Sequence, residues 1–565
     1  MLVATVVLIE MVAVSKLHRR LLTVMMVAMT TILAFAASPE TARAADAGAI
    51  TIGGDVATQY DAYQLFSATV TDKAGSDQKV ATDLAWASDA ARQAVLPVLY
   101  DAGFDSSAST AQEAAEWLNA DGHMSTALAA RLACAICNAG AASVPLNAGM
   151  AAELPCGYWL IVADDDAIDQ GEAGTAPIMA LVGGGAVTVK PKAATPKVAK
   201  HVLEDGTAAW QKAADATVAD DLYWRLSATV PAGLTAYDTY TVRFVDTMSA
   251  GLDPSKVAAS MRVYAAAGAD GGFDAVSAGK DGRAGTEPAK GWTDITAQCG
   301  VSVDGKTFTV RTGDLIAALG GSDAFTAGAR VVAVYNAPLN SACNHGIAKG
   351  NPNEVYLRYP RSPFADQSDD AGFTRTPSDD ACAYTWDLAL TKRGSDGDKP
   401  LAGAVLSITD DRGRTLAADG TWDAEGKATV TTGEDGRVTV SGVDSGKLEV
   451  RELKAPKGYT AFEGTRSVMV KAEGLDVDQV AAAKPKLTIT AESPLRADSA
   501  DGSTGSLEAS LINTPTGTPP STITGGFMPS TGDMAMYAAA AAAVAGAALL
   551  VAALLIKRGG GSHTE

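Results

Sequence analysis

The stretch Leu448-Glu449-Val450-Arg451-Glu452 alternates apolar and polar side chains and then breaks its own rule. Successive side chains of a strand point to opposite faces, so Leu448, Val450 and Glu452 share one face. A face that buries two aliphatic side chains thus also receives a carboxyl. The same break occurs twice nearby. Leu388 and Leu390 are followed in phase by Lys392, and Leu511 is followed in phase by Asn513. This period-two pattern is punctuated by turn pairs such as Asp419-Gly420 and Asp435-Gly436, and it predicts a β-sandwich over residues 384–514.

Working outward, residues 187–365 carry the same pattern and the same anomaly. Val198, Lys200 and Val202 share a face, as do Val242, Phe244 and Asp246, and Asn353 leads Val355, Leu357 and Tyr359. A second sandwich is expected there. Residues 45–186 differ. Ile50 to Ile52, Tyr60 to Val70 and Tyr158 to Val162 read as strands around a helical middle. In that middle, Thr110 and Glu113 form a capping box ahead of Trp117 and Leu118, and Leu128, Leu132 and Ile136 recur every four residues. Gly183-Gly184-Gly185 marks the joint between the two regions. The expected class is mainly β, with tandem immunoglobulin-like and prealbumin-like sandwiches preceded by an α+β domain.

Each sandwich therefore holds one inward lysine, one inward acid and one inward asparagine, in that order. Burial disfavours the charged form of both ionisable groups, lowering the lysine pKa and raising that of the carboxyl. A neutral amine is a nucleophile, and a protonated carboxyl can polarise an amide carbonyl. In contact, such a set can form a Lys–Asn isopeptide bond and release ammonia. A snorkelling lysine or a simple buried ion pair is the bland reading of one triplet, but two triplets in the same order favour the bond.

The chain ends speak to compartment. Lys16, His18, Arg19 and Arg20 precede an apolar run over residues 21–35 and the small-residue site Ala42-Arg43-Ala44, the order of a secretory signal over residues 1–44. Met1 and Met11 are both candidate starts. At the other end, residues 534–556 are long and apolar enough for a transmembrane helix, and Lys557 and Arg558 open a short cytoplasmic tail over 557–565. Residues 515–532 read as an extended linker that ends in Met528-Pro529-Ser530-Thr531-Gly532.

Composition narrows the function. Across 565 residues the net charge is −20, which opposes nucleic-acid binding, since phosphate recognition needs clustered Lys and Arg. There are five histidines. Two of them, His18 and His563, lie in segments expected to be removed. No His-containing triad, phosphate loop or convincing metal set stands out, so the reading is non-enzymatic, with no cofactor and no metal. The six cysteines are Cys134, Cys137, Cys156, Cys299, Cys343 and Cys382. One disulfide plus unpaired thiols is expected in preference to a redox or zinc site, with the pairing open.

Several segments resemble Gram-positive sortase-assembled major (backbone) pilins. Val450 to Tyr459, read as VRELKAPKGY, is similar to the pilin E-box, and its domain resembles prealbumin-like collagen-adhesin B-type modules. The resemblance implies that Lys392 and Asn513 are bonded and that Glu452 is the assisting acid. Phe244 to Met248 and Asn351 to Tyr359 resemble the fimbrial isopeptide-forming domain, implying a Lys200–Asn353 bond assisted by Asp246. Asn351 is a weaker partner there, because Pro352 is expected to break the strand.

Met528 to Gly532 resembles the LPXTG sorting signal, with Met in place of Leu. That implies sortase cleavage between Thr531 and Gly532. Val187 to Lys192 resembles the pilin motif whose lysine joins the next subunit, placing Lys192 in that role. Lys190 stands where Tyr is usual and Gly183 where Trp is usual, so Lys190 and Lys197 remain alternatives. The implied partners are a sortase, neighbouring subunits and peptidoglycan, with host surface ligands open. The implied location is the cell wall and its pili. A monomeric wall-anchored adhesin for host matrix or glycan is the alternative.

Overall fold

The computed structural model describes residues 47–53, 59–73, 78–120, 122–164, 167–168, 171–191, 195–234, 236–363 and 365–517. The expected signal segment, Lys192, the sorting motif Met528 to Gly532, the expected transmembrane helix and the tail lie outside them, as does all but the start of the linker. Among the described residues no helix is long and apolar enough to cross a membrane. The chain is mainly β and divides into two compact units, the first covering residues up to 344, 350–384 and 475–483, the second 345–349, 385–474 and the remainder.

The first unit begins with a five-stranded sheet in which Gln59–Asp72 is flanked by Lys79–Trp86 and Gly157–Ala163, the latter pairing with Ile178–Val182. Three helices cover it: α1 (Asp89–Asp101), α2 (Ala111–Asn119) and α3 (Thr126–Asn138). Each starts at a hydroxyl cap, Ser88, Thr110 or Ser125, which satisfies a backbone N–H that the helix itself leaves unpaired. Thr110 and Glu113 make the reciprocal capping box. Leu128, Leu132 and Ile136 are buried, as their spacing requires.

A separate three-stranded sheet orders Ala151–Pro155, Ala47–Ile52 and Val187–Val189. This moves the expected boundary at residue 187. Val187 to Val189 pair in parallel with Ile50 to Ile52 and belong with the N-terminal strands.

The rest of the first unit is two facing sheets. One runs Ala209–Gln211, Lys197–Glu204, Tyr223–Val230, Ala329–Asn336, Arg262–Ala267 and Thr293–Asp294. The other runs Ala213–Asp215, Asp379–Tyr384, Asn351–Pro360, Arg243–Met248, Thr307–Arg311 and Gly300–Asp304. Trp224, Phe244, Phe308, Val355 and Leu357 fill the space between them. The expected end at residue 365 is also moved. Phe373–Arg375 and Asp379–Tyr384 both pair with Asn351–Pro360, so the sheet continues to Tyr384.

In the second unit, Trp386–Gly394 is flanked by Arg437–Val443 and, in parallel, by Ser506–Pro515. The opposite sheet is built on Val405–Thr409, Gly446–Lys454, Thr465–Glu473 and Lys486–Ala491. The turn at Asp435-Gly436 is tight. Gly436 has φ +72°, and a Cβ there would lie 2.9 Å from the carbonyl of Lys392. That close approach carries a 2.8 Å bond from the Lys392 N–H to the Gly436 carbonyl, which fixes the backbone beneath the lysine.

Candidate functional site

In the first unit Lys200 projects inward from Lys197–Glu204, in phase with Val202 on a strand whose partner places Leu226 opposite it. Across the core, Asp246 lies opposite Val355 and Met248 opposite Asn353, so acid and amide are offset by two residues on one face. Lys200, Asp246 and Asn353 are fully buried. The Lys200 Nζ pairs with Asp246 Oδ2 and donates to the Tyr335 hydroxyl at 2.9 Å. That hydroxyl donates to Asp246 Oδ2 at 3.0 Å and accepts from Asn353 Nδ2 at 2.8 Å. Two acceptors, Asp246 Oδ1 and Asn353 Oδ1, are buried without a hydrogen-bond partner among the described residues. The cluster is short of a donor, and a proton on the Asp246 carboxyl would provide one.

In the second unit the geometry is more direct. Parallel pairing sets Lys392 beside Leu511 and Gly394 beside Asn513. The Lys392 Nζ contacts Asn513 Oδ1 and lies 3.0 Å from Glu452 Oε1, which comes from the opposite sheet. Asn513 Nδ2 donates to both Glu452 oxygens, at 2.9 and 3.1 Å, and the Phe462 N–H adds a third bond to that carboxyl. The structure therefore gathers each sequence-derived triplet into one cluster.

The electrostatics suit nucleophilic chemistry. Burial pushes the Lys200 amine down to about 8, with Asp246 opposing, and pushes the Asp246 carboxyl up. Lys392 is likewise pushed down to about 8 by burial, with Glu452 opposing. Burial and then Asp246 hold the Tyr335 phenol well above its usual range, so it stays protonated. An amine, an acid and an amide then meet in buried positions, the arrangement that attack on the amide carbon requires.

The SpaA prealbumin-like fold domain matches residues 387–484. The chain is 31% identical over 134 residues to the trypsin-resistant surface T6 protein of Streptococcus pyogenes serotype M6, a match covering 22% of this chain and 23% of that protein. It thus spans about a quarter of that relative's length. The T6 backbone pilin structure of the same serotype aligns over 85% of this chain and 100% of that one, at 16% identity and TM-score 0.46. The full-length major pilin SpaD from Corynebacterium diphtheriae aligns over 83% and 98%, at 15% identity and TM-score 0.40.

Glu452 lies inside the matched prealbumin-like segment, and Asn513 lies beyond it. Asn351 has a different task from its neighbour Asn353. It is buried, its amide donates to the carbonyls of Asn344 and Ala383, and its oxygen accepts from Asn344 N–H. The expected break at Pro352 does not occur. The strand runs through it, with Pro352 opposite Cys382, and what distinguishes Asn351 is its set of committed hydrogen bonds.

Tyr335 was not singled out from sequence. Its signal was the phase of Val331, Ala333 and Tyr335, which puts a phenol at the end of an inward apolar run. The expected disulfide is absent among the described residues. Cys134 and Cys137 are exposed on α3, whereas Cys156, Cys343 and Cys382 are buried at other points of the chain. Lys190 and Lys197 are exposed, and Lys190 borders a groove of about 760 Å³ lined in part by Ile178, Met179, Val187 and Val189.

A chain with Asn513→Ala keeps the Lys392 amine free and supplies a pH test of its burial. The folded value of about 8 is below the ordinary 10.5, so between these the unfolded state binds more protons. Stability is then expected to rise with pH across that window, by about 1.4 kcal/mol per pH unit, and to be flat below it. Urea midpoints of this variant, measured between pH 8 and pH 10, check the slope. A flat profile would mean an amine in contact with water.

Proposed function

We propose that this chain is a structural subunit of a covalently polymerised, cell-surface pilus, stiffened by internal Lys–Asn bonds. The observation that carries the reading is the recurrence of one buried amine, acid and amide set in two separate β-sandwiches. An ordinary core does not hold such a set once, because buried charges are costly. In each, the lysine passes a proton to the acid, and the neutral amine attacks the asparagine Cγ. The C–Nδ2 bond then breaks, the nitrogen takes up a proton and ammonia leaves. The pairs are Lys200 with Asn353, assisted by Asp246, and Lys392 with Asn513, assisted by Glu452. The acids end as they began once the proton taken from the lysine departs with the nitrogen, as ammonium, so the process is autocatalytic and happens once per chain.

In the same proposal a sortase cuts between Thr531 and Gly532 and transfers Thr531 to a lysine of the next subunit or to peptidoglycan. Lys192 is the intended acceptor, and Lys190, two residues before it, is exposed beside the groove. The test is the electrophoretic pattern of cell-wall extracts in strong denaturant. Wild type is expected to give a high-mass ladder and Lys192→Ala only the single subunit. Wild-type single bands would rule out polymerisation.

A further inference from the structure

The two clusters differ in how the acid reaches the leaving nitrogen. In the second unit Glu452 touches Asn513 Nδ2 with both oxygens. In the first unit the acid is Asp246, one methylene shorter, and the described partner of Asn353 Nδ2 is the Tyr335 hydroxyl. That hydroxyl sits between them, 2.8 Å from the amide nitrogen and 3.0 Å from Asp246 Oδ2, and 2.9 Å from the Lys200 amine. Its ring is fully buried and held edge-on against Phe308 at 4.8 Å, so the hydroxyl has little freedom to leave the cluster.

We infer that Tyr335 is a catalytic residue of the first-unit cross-link, relaying a proton from Asp246 to the departing amide nitrogen of Asn353. The inference rests on the cross-linking reading above. Before attack Asp246 Oδ2 holds the proton taken from Lys200, with which it is paired, and after attack the Lys200 nitrogen carries a surplus proton that refills Oδ2 once the first has moved on. Tyr335 donates its phenolic proton to Nδ2 while accepting the proton held on Oδ2. The C–N bond to Nδ2 breaks, ammonia leaves, and tyrosine and carboxyl return to their starting states. The path Nζ, Oδ2, phenol, Nδ2 is continuous in the structure, and among the described residues the phenol is its one link to the leaving group. In the second unit no relay is needed, because Glu452 is itself at hydrogen-bond distance from Nδ2.

The test is a time course of ammonia loss in each unit, read by peptide mass mapping of freshly synthesised full-length chain. Tyr335→Phe is expected to slow bonding of Lys200 to Asn353 by roughly 10²-fold, the usual reach of a positioned proton donor, and to leave Lys392–Asn513 at its wild-type rate. Folding of the variant is checked by melting, which should match or exceed that of Asn353→Ala. In the double variant Tyr335→Phe, Asp246→Glu the longer acid reaches Nδ2 directly, and bonding is expected to recover. Wild-type bonding in Tyr335→Phe, or no gain in the double variant, overturns the relay alone. A wild-type chain that loses no ammonia from the first unit overturns the cross-linking reading itself, and the relay with it.

Discussion

A chain carrying Asn513→Ala is expected to melt its second unit roughly 20 °C lower than wild type and to lose one ammonia fewer, relative to its own sequence, than wild type does. Lys392 and Asn513 are 121 residues apart in sequence. A covalent link across a loop of that length removes about 5 kcal/mol of chain entropy from the unfolded state. Domains of this size shift by a few degrees for each kcal/mol, so the cross-link alone accounts for about 20 °C. Glu452→Gln should behave the same way, since it keeps the amine and the amide but loses the proton donor. Intact mass and calorimetry on the same samples separate the two causes. If wild type has the mass of its sequence, the cluster is a buried polar network and the large shift should vanish with it.

The position of the proposed link also bears on mechanics. Lys392 lies in the first strand of its unit and Asn513 in the last, and the two strands are parallel neighbours. Force applied at the two ends of the unit would pass through the bond before reaching the strands between. A fibre subunit gains from that arrangement, because hydrogen-bonded strands peel one by one whereas a covalent link at the chain ends stops the peeling before it starts.

Much of this was legible because strands carry a period of two. Lys392, Glu452 and Asn513 betray themselves as polar residues at positions that Leu388, Leu448 and Leu511 mark as inward. The same phase found Lys200, Asp246 and Asn353. What the period cannot give is which faces oppose which, and that depends on long-range pairing. Tyr335 stayed hidden for this reason, since an inward tyrosine next to valines looks like ordinary packing until Asp246 and Asn353 arrive from the other sheet. Boundaries failed for a related cause. The strand Val187–Val189 follows a glycine joint that reads as a domain end, yet its partner is the first described strand of the chain. The strand Asp379–Tyr384 looks like linker in sequence and is ordered by pairing with Asn351 to Val355.

Asp246→Ala is expected to be the most damaging single change in the first unit, and more damaging than removing the cross-link alone. Without the acid the Lys200 amine cannot be activated, so the bond is lost, at a cost of about 5 kcal/mol for so long a loop. The lysine also remains in a site with no exposure, flanked by Trp224 at 5.5 Å and Tyr335 at 5.4 Å, with its carboxylate partner gone. Breaking a buried pair from one side costs a further ~3–5 kcal/mol. The double variant Lys200→Met, Asp246→Leu loses the bond as well but leaves no orphaned charge. It should therefore be more stable than Asp246→Ala, although it carries one more substitution. Denaturant midpoints for the first unit are expected in the order wild type, double variant, Asp246→Ala. A double variant no better than Asp246→Ala would show that the lysine finds water when its partner is removed. Burial could then not be what makes it a nucleophile.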